Sequence, residues 1–221
     1  MKNVTRRELL KAGGILGLGL AVNRLSSLTD AHAAIQEPQK WDSSADVVIV
    51  GGGMAGLTAA ISAREAGASV LLLEKAAELG GSAILSGGLL SIGPTSEQKA
   101  QGIVDTADKI YADLMKNNEI DPQMLEPEMI RAYADNGGRI YEWLKSMGVI
   151  KLLRPEVGTL GGYDSVRRML TLDMVKTIAA LKETAVKKGA LILSSTTAER
   201  LTLGKNGEIT GVSARRKDSI A

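Results

Sequence analysis

The segment from Asp46 to Glu74 (DVVIVGGGMAGLTAAISAREAGASVLLLE) constrains the fold most strongly, because it combines two apolar runs, spaced glycines and a terminal acid. Residues 46–50 form a short β-branched run, which predicts a central parallel strand covered on both faces. Residues 54–66 are mostly strong helix formers, and Gly67 is placed to end the helix. Residues 69–73 predict a second strand. The segment therefore predicts a βαβ unit of an α/β fold.

The glycine spacing of this unit indicates the class of ligand. Gly51, Gly53 and Gly56 form G-x-G-x-x-G, in which the first glycine permits a tight turn, the second admits a pyrophosphate and the third lets the helix approach the strand. Glu74 follows 18 residues after Gly56 and is placed to accept hydrogen bonds from both ribose hydroxyls of an adenosine. The unit predicts dinucleotide binding; the alternative is that the glycines only form a tight βα turn.

The charge of the chain argues against a nucleic-acid partner. The formal net charge is +2, with 27 basic and 25 acidic residues. Residues 1–33 contain five of the basic and two of the acidic residues, which leaves 22 basic and 23 acidic residues in the rest. Without a basic surplus, no electrostatic attraction to nucleic acid is expected.

Cysteine and histidine usage excludes several kinds of site. The chain has no cysteine, so disulfides, iron–sulfur clusters and thiol nucleophiles are excluded. Its one histidine is His32, within the N-terminal segment. A catalytic histidine or a histidine-ligated metal is therefore excluded for the remaining residues. No metal site is predicted, and no catalytic residue is assigned.

The N-terminal segment has the pattern of an export signal. Residues 5–11 (TRRELLK) match the twin-arginine motif, residues 12–22 are apolar and glycine-rich, and residues 31–33 (AHA) form a small-residue cleavage site. Eleven helical residues rise only about 16 Å, so no stable membrane span is expected across about 30 Å of hydrocarbon. The alternative is an amphipathic helix with a chance arginine pair. The predicted organisation is a signal over residues 1–33 cleaved after about Ala33 to give a periplasmic product, a linker over 34–45, and a domain over 46–221.

A second glycine-rich stretch follows Glu74 and narrows the class of dinucleotide-binding protein to which the chain can belong. Residues 80–93 read GGSAILSGGLLSIG, whose glycines and hydroxyls can donate hydrogen bonds to a large polar ligand, unless they only form a surface loop. Together, GGGMAG, LLLEK and GGSAILSGG resemble the flavoprotein family of fumarate reductases, flavocytochromes c, urocanate reductases and 3-ketosteroid dehydrogenases. The resemblance implies a Rossmann-like FAD-binding domain with a parallel sheet, a helical insertion and a β-hairpin.

The resemblance also implies which residues contact FAD. The second glycine stretch is expected beside the pyrophosphate and the isoalloxazine, and the strand over residues 195–198 beside the adenine. The implied FAD contacts are Gly51, Gly53, Ala55, Gly56, Glu74, Lys75, Gly81, Ser82, Ser86, Gly87, Gly88 and Ala198. Fumarate-type members usually have Asn where Ser82 stands, and the spacing before the second Gly-Gly pair is nearer that of ketosteroid dehydrogenases. The substrate class therefore stays open between the two.

The rest of the chain carries weaker signals. In the loop over residues 158–170, Tyr163 could donate a proton or hydrogen bond and Arg168 could hold an anion, although solvated surface roles fit equally well. Trp143 and the nearby tyrosines are expected in the core. Helices are predicted over 96–117, 122–136, 138–147 and 171–188, a strand over 190–194, and a hairpin of 197–203 with 209–214 across Asn206-Gly207.

The resemblance implies an FAD-dependent oxidoreductase that passes a hydride between flavin N5 and a C=C or C–C bond of a small acid or a steroid-like substrate. A cytochrome or quinol-linked electron carrier is a further expected partner. Family members continue past the equivalent of residue 221 with a capping domain, so we expect an incomplete domain: a fragment, a split gene product or a degenerate copy. The alternatives are a non-catalytic nucleotide-binding module that needs a partner chain and an NAD(P)-dependent dehydrogenase, which the second glycine stretch disfavours.

Overall fold

The computed structural model describes residues 40–118, 126–159 and 165–217. The predicted signal, the first half of the linker and Tyr163 lie outside these residues. The helices are α1 Met54–Glu65, α2 Gly81–Ile84, α3 Ser96–Ala100, α4 Ala107–Asn118, α5 Pro127–Ser146 and α6 Met174–Lys187. The strands are β1 Val47–Val50, β2 Val70–Leu73, β3 Leu89–Ser91, β4 Met169–Thr171, β5 Leu191–Leu193, β6 Thr196–Leu203 and β7 Ile209–Arg216.

A parallel three-stranded sheet in the order β1-β2-β5 organises the site. Val47 lies beside Val70 and Val50 beside Leu73, so β1 and β2 end at the same level, where their following loops meet. Helix α1 connects these two strands and buries Leu57 completely in the core. The predicted α/β fold with a parallel sheet, helices and a hairpin is confirmed.

The position of β1 differs from its prediction. Among the described residues β1 pairs with β2 alone, so it is an edge strand there. Val48 and Val50 are 38% and 61% exposed, which leaves one face of the strand open. The prediction of a central strand covered on both faces is wrong for this part of the chain, because an apolar run identifies a strand without identifying its neighbours.

Helix α5 was predicted as two helices, and that prediction is wrong. Gly137 and Gly138 lie inside one continuous helix. A Cβ on Gly137 would lie 2.9 Å from Ile92 Cγ1, and one on Gly138 would lie 2.3 Å from the Pro94 carbonyl oxygen. The two glycines therefore allow the chain at Ile92–Pro94 to pack directly on the helix and do not interrupt it.

Two other predicted helices have different bounds. The helix predicted over 96–117 is divided into α3 and α4, with Gly102 at φ +66° beyond the end of α3. The helix predicted from residue 171 begins at Met174, because Asp173 caps it by accepting a hydrogen bond from the Lys176 N–H at 3.0 Å. Thr171, the first residue of the predicted helix, belongs instead to strand β4.

Strands β6 and β7 form the predicted hairpin, with Gly207 at φ +82° in its turn. Residues 41–199 and 214–217 belong to one compact unit, whereas residues 200–213 belong to another. All of the predicted site residues lie in the first unit. Within the described ranges, no helix has both the length and the apolar composition needed to cross a membrane.

Candidate functional site

The turn between β1 and α1 explains two of the three motif glycines. Gly51 has φ +104°, which favours glycine, and its N–H donates to the Leu73 carbonyl at 2.8 Å. A Cβ on Gly56 would lie 1.9 Å from the Gly51 carbonyl oxygen. Helix α1 could not approach the turn with any side chain at Gly56. The first and third glycines are therefore needed by the protein itself.

Gly53 is different, because the protein does not require glycine there. Its φ is −74°, which every residue adopts, and a Cβ would meet nothing nearer than the Gly80 carbonyl oxygen at 3.8 Å. Gly53 is the N-cap of α1, where helix N–H groups lack intrahelical partners and the helix dipole is positive. A surface without a side chain at this point fits the close approach of a pyrophosphate.

The second glycine stretch lies directly against this turn. Gly53 and Gly80 form a parallel β-bridge, and the Gly80 N–H donates to the Gly52 carbonyl at 2.9 Å. A Cβ on Gly81 would lie 3.6 Å from the Gly53 Cα. The two glycine stretches therefore form one continuous backbone surface.

Glu74 lies at the edge of this surface. Its side chain is buried, with the residue only 7% exposed. Oε2 accepts a hydrogen bond from the Gly52 N–H at 2.6 Å, and Oε1 accepts one from the Ala76 N–H at 2.8 Å. A carboxylate has about four acceptor positions, so ribose hydroxyls can still be accommodated. The structure thus brings together the turn, the acid and the start of the second glycine stretch.

Ala198, the residue predicted to contact the adenine, lies in strand β6. The Thr196 N–H at the start of β6 donates to the Glu74 carbonyl at 2.8 Å, and Ala198 follows two residues later, half-buried. Ser195 has φ +53°, and its N–H donates to the Ala76 carbonyl at 2.9 Å. The start of β6 is therefore joined to the loop that carries the acid.

The remaining predicted contacts are less closely connected to the turn. Ala55, Lys75, Ser82 and Gly87 are exposed. The Ser86 hydroxyl donates to the Ala83 carbonyl at 2.7 Å, and a Cβ on Gly88 would lie 2.1 Å from the Leu172 carbonyl oxygen. Ser86 and Gly88 thus have contacts that explain them without a ligand.

Sequence reasoning missed Gly52 as part of the site, and it placed Gly80 in the second glycine stretch without naming it as an FAD contact. Gly52 is buried, and a Cβ there would lie 2.9 Å from Leu79 Cδ2. Gly80 has φ +125°, a backbone conformation that favours glycine. One signal was available: the motif needs two of the three consecutive glycines at 51–53, so Gly52 was left without an explanation.

Arg168 does not serve as an open anion site. The residue is 2% exposed, and its Nε and Nη2 each donate to Asp105 at 3.0 Å. Its Nη1 donates to Asp113 Oδ2 at 2.6 Å. The hypothesis that Arg168 holds a ligand anion is wrong, because carboxylates of its own chain bind the guanidinium.

The ion pairs with Arg168 affect the pKa values of the two carboxyl groups, Asp105 and Asp113. Burial raises the pKa of Asp105, but hydrogen bonds from Arg168 and Gln98 outweigh it, so the pKa lies below the ordinary 3.8. Burial also raises the pKa of Asp113, but the hydrogen bonds from Arg168 and Ser165 and the positive charge of Arg168 together outweigh it, so this pKa is lowered as well. Both groups favour the ionised form in the folded state.

This shift predicts the pH dependence of stability. A folded-state pKa below the unfolded value of about 3.9 stabilises the fold above that pH, and the contribution is lost as pH falls through the lowered values. We expect the urea midpoint to decrease below about pH 4, and to decrease less in Asp113→Asn. Equal decreases in the two proteins would contradict the assignment.

Trp143 lines a groove between α1 and α5. The groove has a volume of about 640 Å³ and includes Ala55 and Ile140 in its lining. The Trp143 Nε1–H donates to Glu65 Oε2 at 2.9 Å, and the indole is half-buried. Tyr141 is 1% exposed and belongs to the core as predicted. Trp143 therefore belongs only in part to the core.

The fold and the site define an α/β dinucleotide-binding domain with a second glycine stretch at the first turn. Residues 46–220 match the family model of the FAD binding domain, and the chain belongs to that family. FAD is therefore the cofactor of this domain. The residues present fit it, since the side-chain-free surface at Gly53 lies beside a helix N-terminus and a buried acid.

Known proteins of related sequence and structure include fumarate reductases and a ketosteroid dehydrogenase. The chain is 32% identical to NADH:fumarate oxidoreductase of Klebsiella pneumoniae, covering 76% of this chain and 18% of that protein. It is 35% identical to fumarate reductase (cytochrome) of Shewanella frigidimarina, covering 53% and 19%. The structure of 3-ketosteroid-Δ4-(5α)-dehydrogenase from Rhodococcus jostii matches with a TM-score of 0.69 and 25% identity, over 82% of this chain and 44% of that one. The chain thus spans about a fifth of the length of these curated relatives.

Proposed function

We propose that the chain supplies the FAD-binding part of an oxidoreductase that acts on a C=C or C–C bond of a small acid or a steroid-like substrate. When bound, FAD would supply the hydride chemistry at its N5. The observation that carries the proposal is the shared backbone surface of Gly53 and Gly80, with Glu74 buried at its edge. The names of the relatives support the substrate classes.

In this proposal the turn and the acid hold the ADP half of the cofactor. Gly53 and the first turn of α1 receive the pyrophosphate, because N–H groups and a positive dipole end meet there. Glu74 accepts hydrogen bonds from the ribose hydroxyls, and the backbone at Ala198 faces the adenine. The flavin half would meet the second glycine stretch. The remaining proposed contacts are Ala55, Lys75, Gly81, Ser82, Ser86, Gly87 and Gly88.

The electron partner and the location belong to the same proposal. One relative is named for NADH and another for a cytochrome. We propose a cytochrome or quinol-linked carrier for this chain, since the twin-arginine pattern over residues 1–33 directs it to the periplasm. No residue is assigned to proton delivery.

The open edge of β1 favours a second candidate function. Val48 and Val50 are exposed on a strand that has one described neighbour. Apolar residues on an unpaired edge favour pairing with a further polypeptide. A nucleotide-binding module completed by a partner chain accounts for this edge without requiring chemistry of its own.

Flavin content and flavin reoxidation together test the proposal. The purified chain is denatured and the released FAD is quantified, with NAD as the competing ligand. The FAD complex is then reduced without oxygen and mixed with fumarate, or the oxidised complex is mixed with a saturated 3-ketosteroid. The oxidoreductase predicts a change in flavin absorbance with one of these substrates. FAD binding without that change favours the module, and NAD binding without FAD binding would contradict the proposed FAD site.

A further inference from the structure

We infer that Glu74 is also a positioning residue, which holds the glycine turn in its ligand-binding conformation before a ligand arrives. This inference rests on the proposed FAD site and concerns a role of Glu74 that does not involve the ribose. It starts from the buried contact of Oε2 with the Gly52 N–H at 2.6 Å. Hydrogen bonds from N–H groups to carboxylates are shorter and stronger than those between neutral groups.

Gly52 transmits this contact to the N-cap of α1. Its carbonyl accepts the Gly80 N–H at 2.9 Å, so the peptide planes on both sides of Gly52 are held. In a planar trans peptide the N–H points opposite to the carbonyl, so the bond from Gly80 also fixes the direction of the Gly53 N–H. Consecutive glycines have the largest conformational freedom of any sequence, and these two bonds remove it where the phosphates are proposed to bind.

The carboxylate is itself fixed to the sheet. Oε1 accepts a hydrogen bond from the Ala76 N–H. The Glu74 N–H donates to the Leu193 carbonyl at 2.9 Å, and the Glu74 carbonyl accepts from the Thr196 N–H at 2.8 Å. The acid is therefore an anchored acceptor, and it connects the glycine turn to the strands beside it. A ligand that finds the turn already ordered does not have to order it on binding.

A ligand without ribose hydroxyls separates the two roles of Glu74. We compare the binding of ADP and 2′,3′-dideoxy-ADP to the full chain and to Glu74→Gln, with Glu78→Gln as the exposed acidic control. Glutamine presents an NH₂ group to one of the two backbone donors, so one of the two bonds is lost. We expect Glu74→Gln to weaken both ligands, with a loss of about tenfold or more for the dideoxy nucleotide. Unchanged affinity for dideoxy-ADP would overturn the inference.

Hydrogen exchange of the free protein provides a test that does not depend on a variant folding. The inference predicts that the Gly52 and Ala76 amides are protected in the absence of any nucleotide. Exchange at the rate of an unstructured chain would overturn it, whatever the variant does. A wild-type chain that binds neither FAD nor ADP would refute the proposed function instead, so the two failures are distinguishable.

Discussion

Replacing Arg168 by methionine is expected to lower the free energy of unfolding by about 3–5 kcal/mol, the cost of removing one partner from a buried ion pair. The Asp105 side chain is 0% exposed, and among the described residues Gln98 and the Thr106 N–H would be its remaining donors. Asp113 would lose its contact at 2.6 Å as well. The measurement is urea denaturation of both proteins at neutral pH.

Arg131→Met provides the matched control. Arg131 also contacts two aspartates, Asp108 at 2.9 Å and Asp135, but its side chain is 34% exposed and those of its partners are more so. Solvent-exposed pairs contribute up to about 1 kcal/mol, so a small change is expected. Similar losses of unfolding free energy in Arg131→Met and Arg168→Met would show that burial does not determine how much the Arg168 network contributes to stability.

Replacing Gly53 by alanine is expected to weaken FAD binding by about 10- to 100-fold. A methyl group would occupy the space where the pyrophosphate is proposed to bind, and overpacking a fitted site costs about 1–3 kcal/mol. The fold has room for the methyl, since its nearest neighbour is the Gly80 carbonyl oxygen at 3.8 Å. Stability should change by about 1 kcal/mol or less, the cost of a poorer N-cap.

Gly56→Ala is the comparison that distinguishes a blocked ligand from a disturbed fold. Its Cβ would lie 1.9 Å from the Gly51 carbonyl oxygen, so helix α1 must move. This variant should lose stability as well as FAD binding. If Gly53→Ala bound FAD as tightly as the wild type, the phosphates could not lie against Gly53.

The βαβ unit could be predicted because its requirements are local. The tight turn and the close approach of the helix each require glycine at a fixed position, and the proposed ribose contact requires an acid at the end of β2. Gly51 and Gly56 have the roles that their spacing indicated. The hydrogen bond from Gly52 to Glu74 could not be predicted, because a contact between two loops leaves no spacing pattern.

The wrong predictions for Gly137, Gly138 and Arg168 concern residue types that have more than one structural role. Gly137 and Gly138 were interpreted as a helix interruption, whereas they are places where another segment packs on the helix. Arg168 was considered for a ligand because an arginine near glycines fits an anion, but its partners, Asp105 and Asp113, are distant in sequence. The edge position of β1 depends on which strands are its neighbours, which its own residues do not specify.

Competition between nucleotides tests the central claim most directly. The claim is that the turn at Gly51–Gly56 and Glu74 bind the ADP half of FAD. In a fluorescence titration of the purified chain with FAD, ADP should displace the flavin, whereas FMN, which lacks the adenosine, should not. Displacement of FAD by FMN but not by ADP would contradict the account.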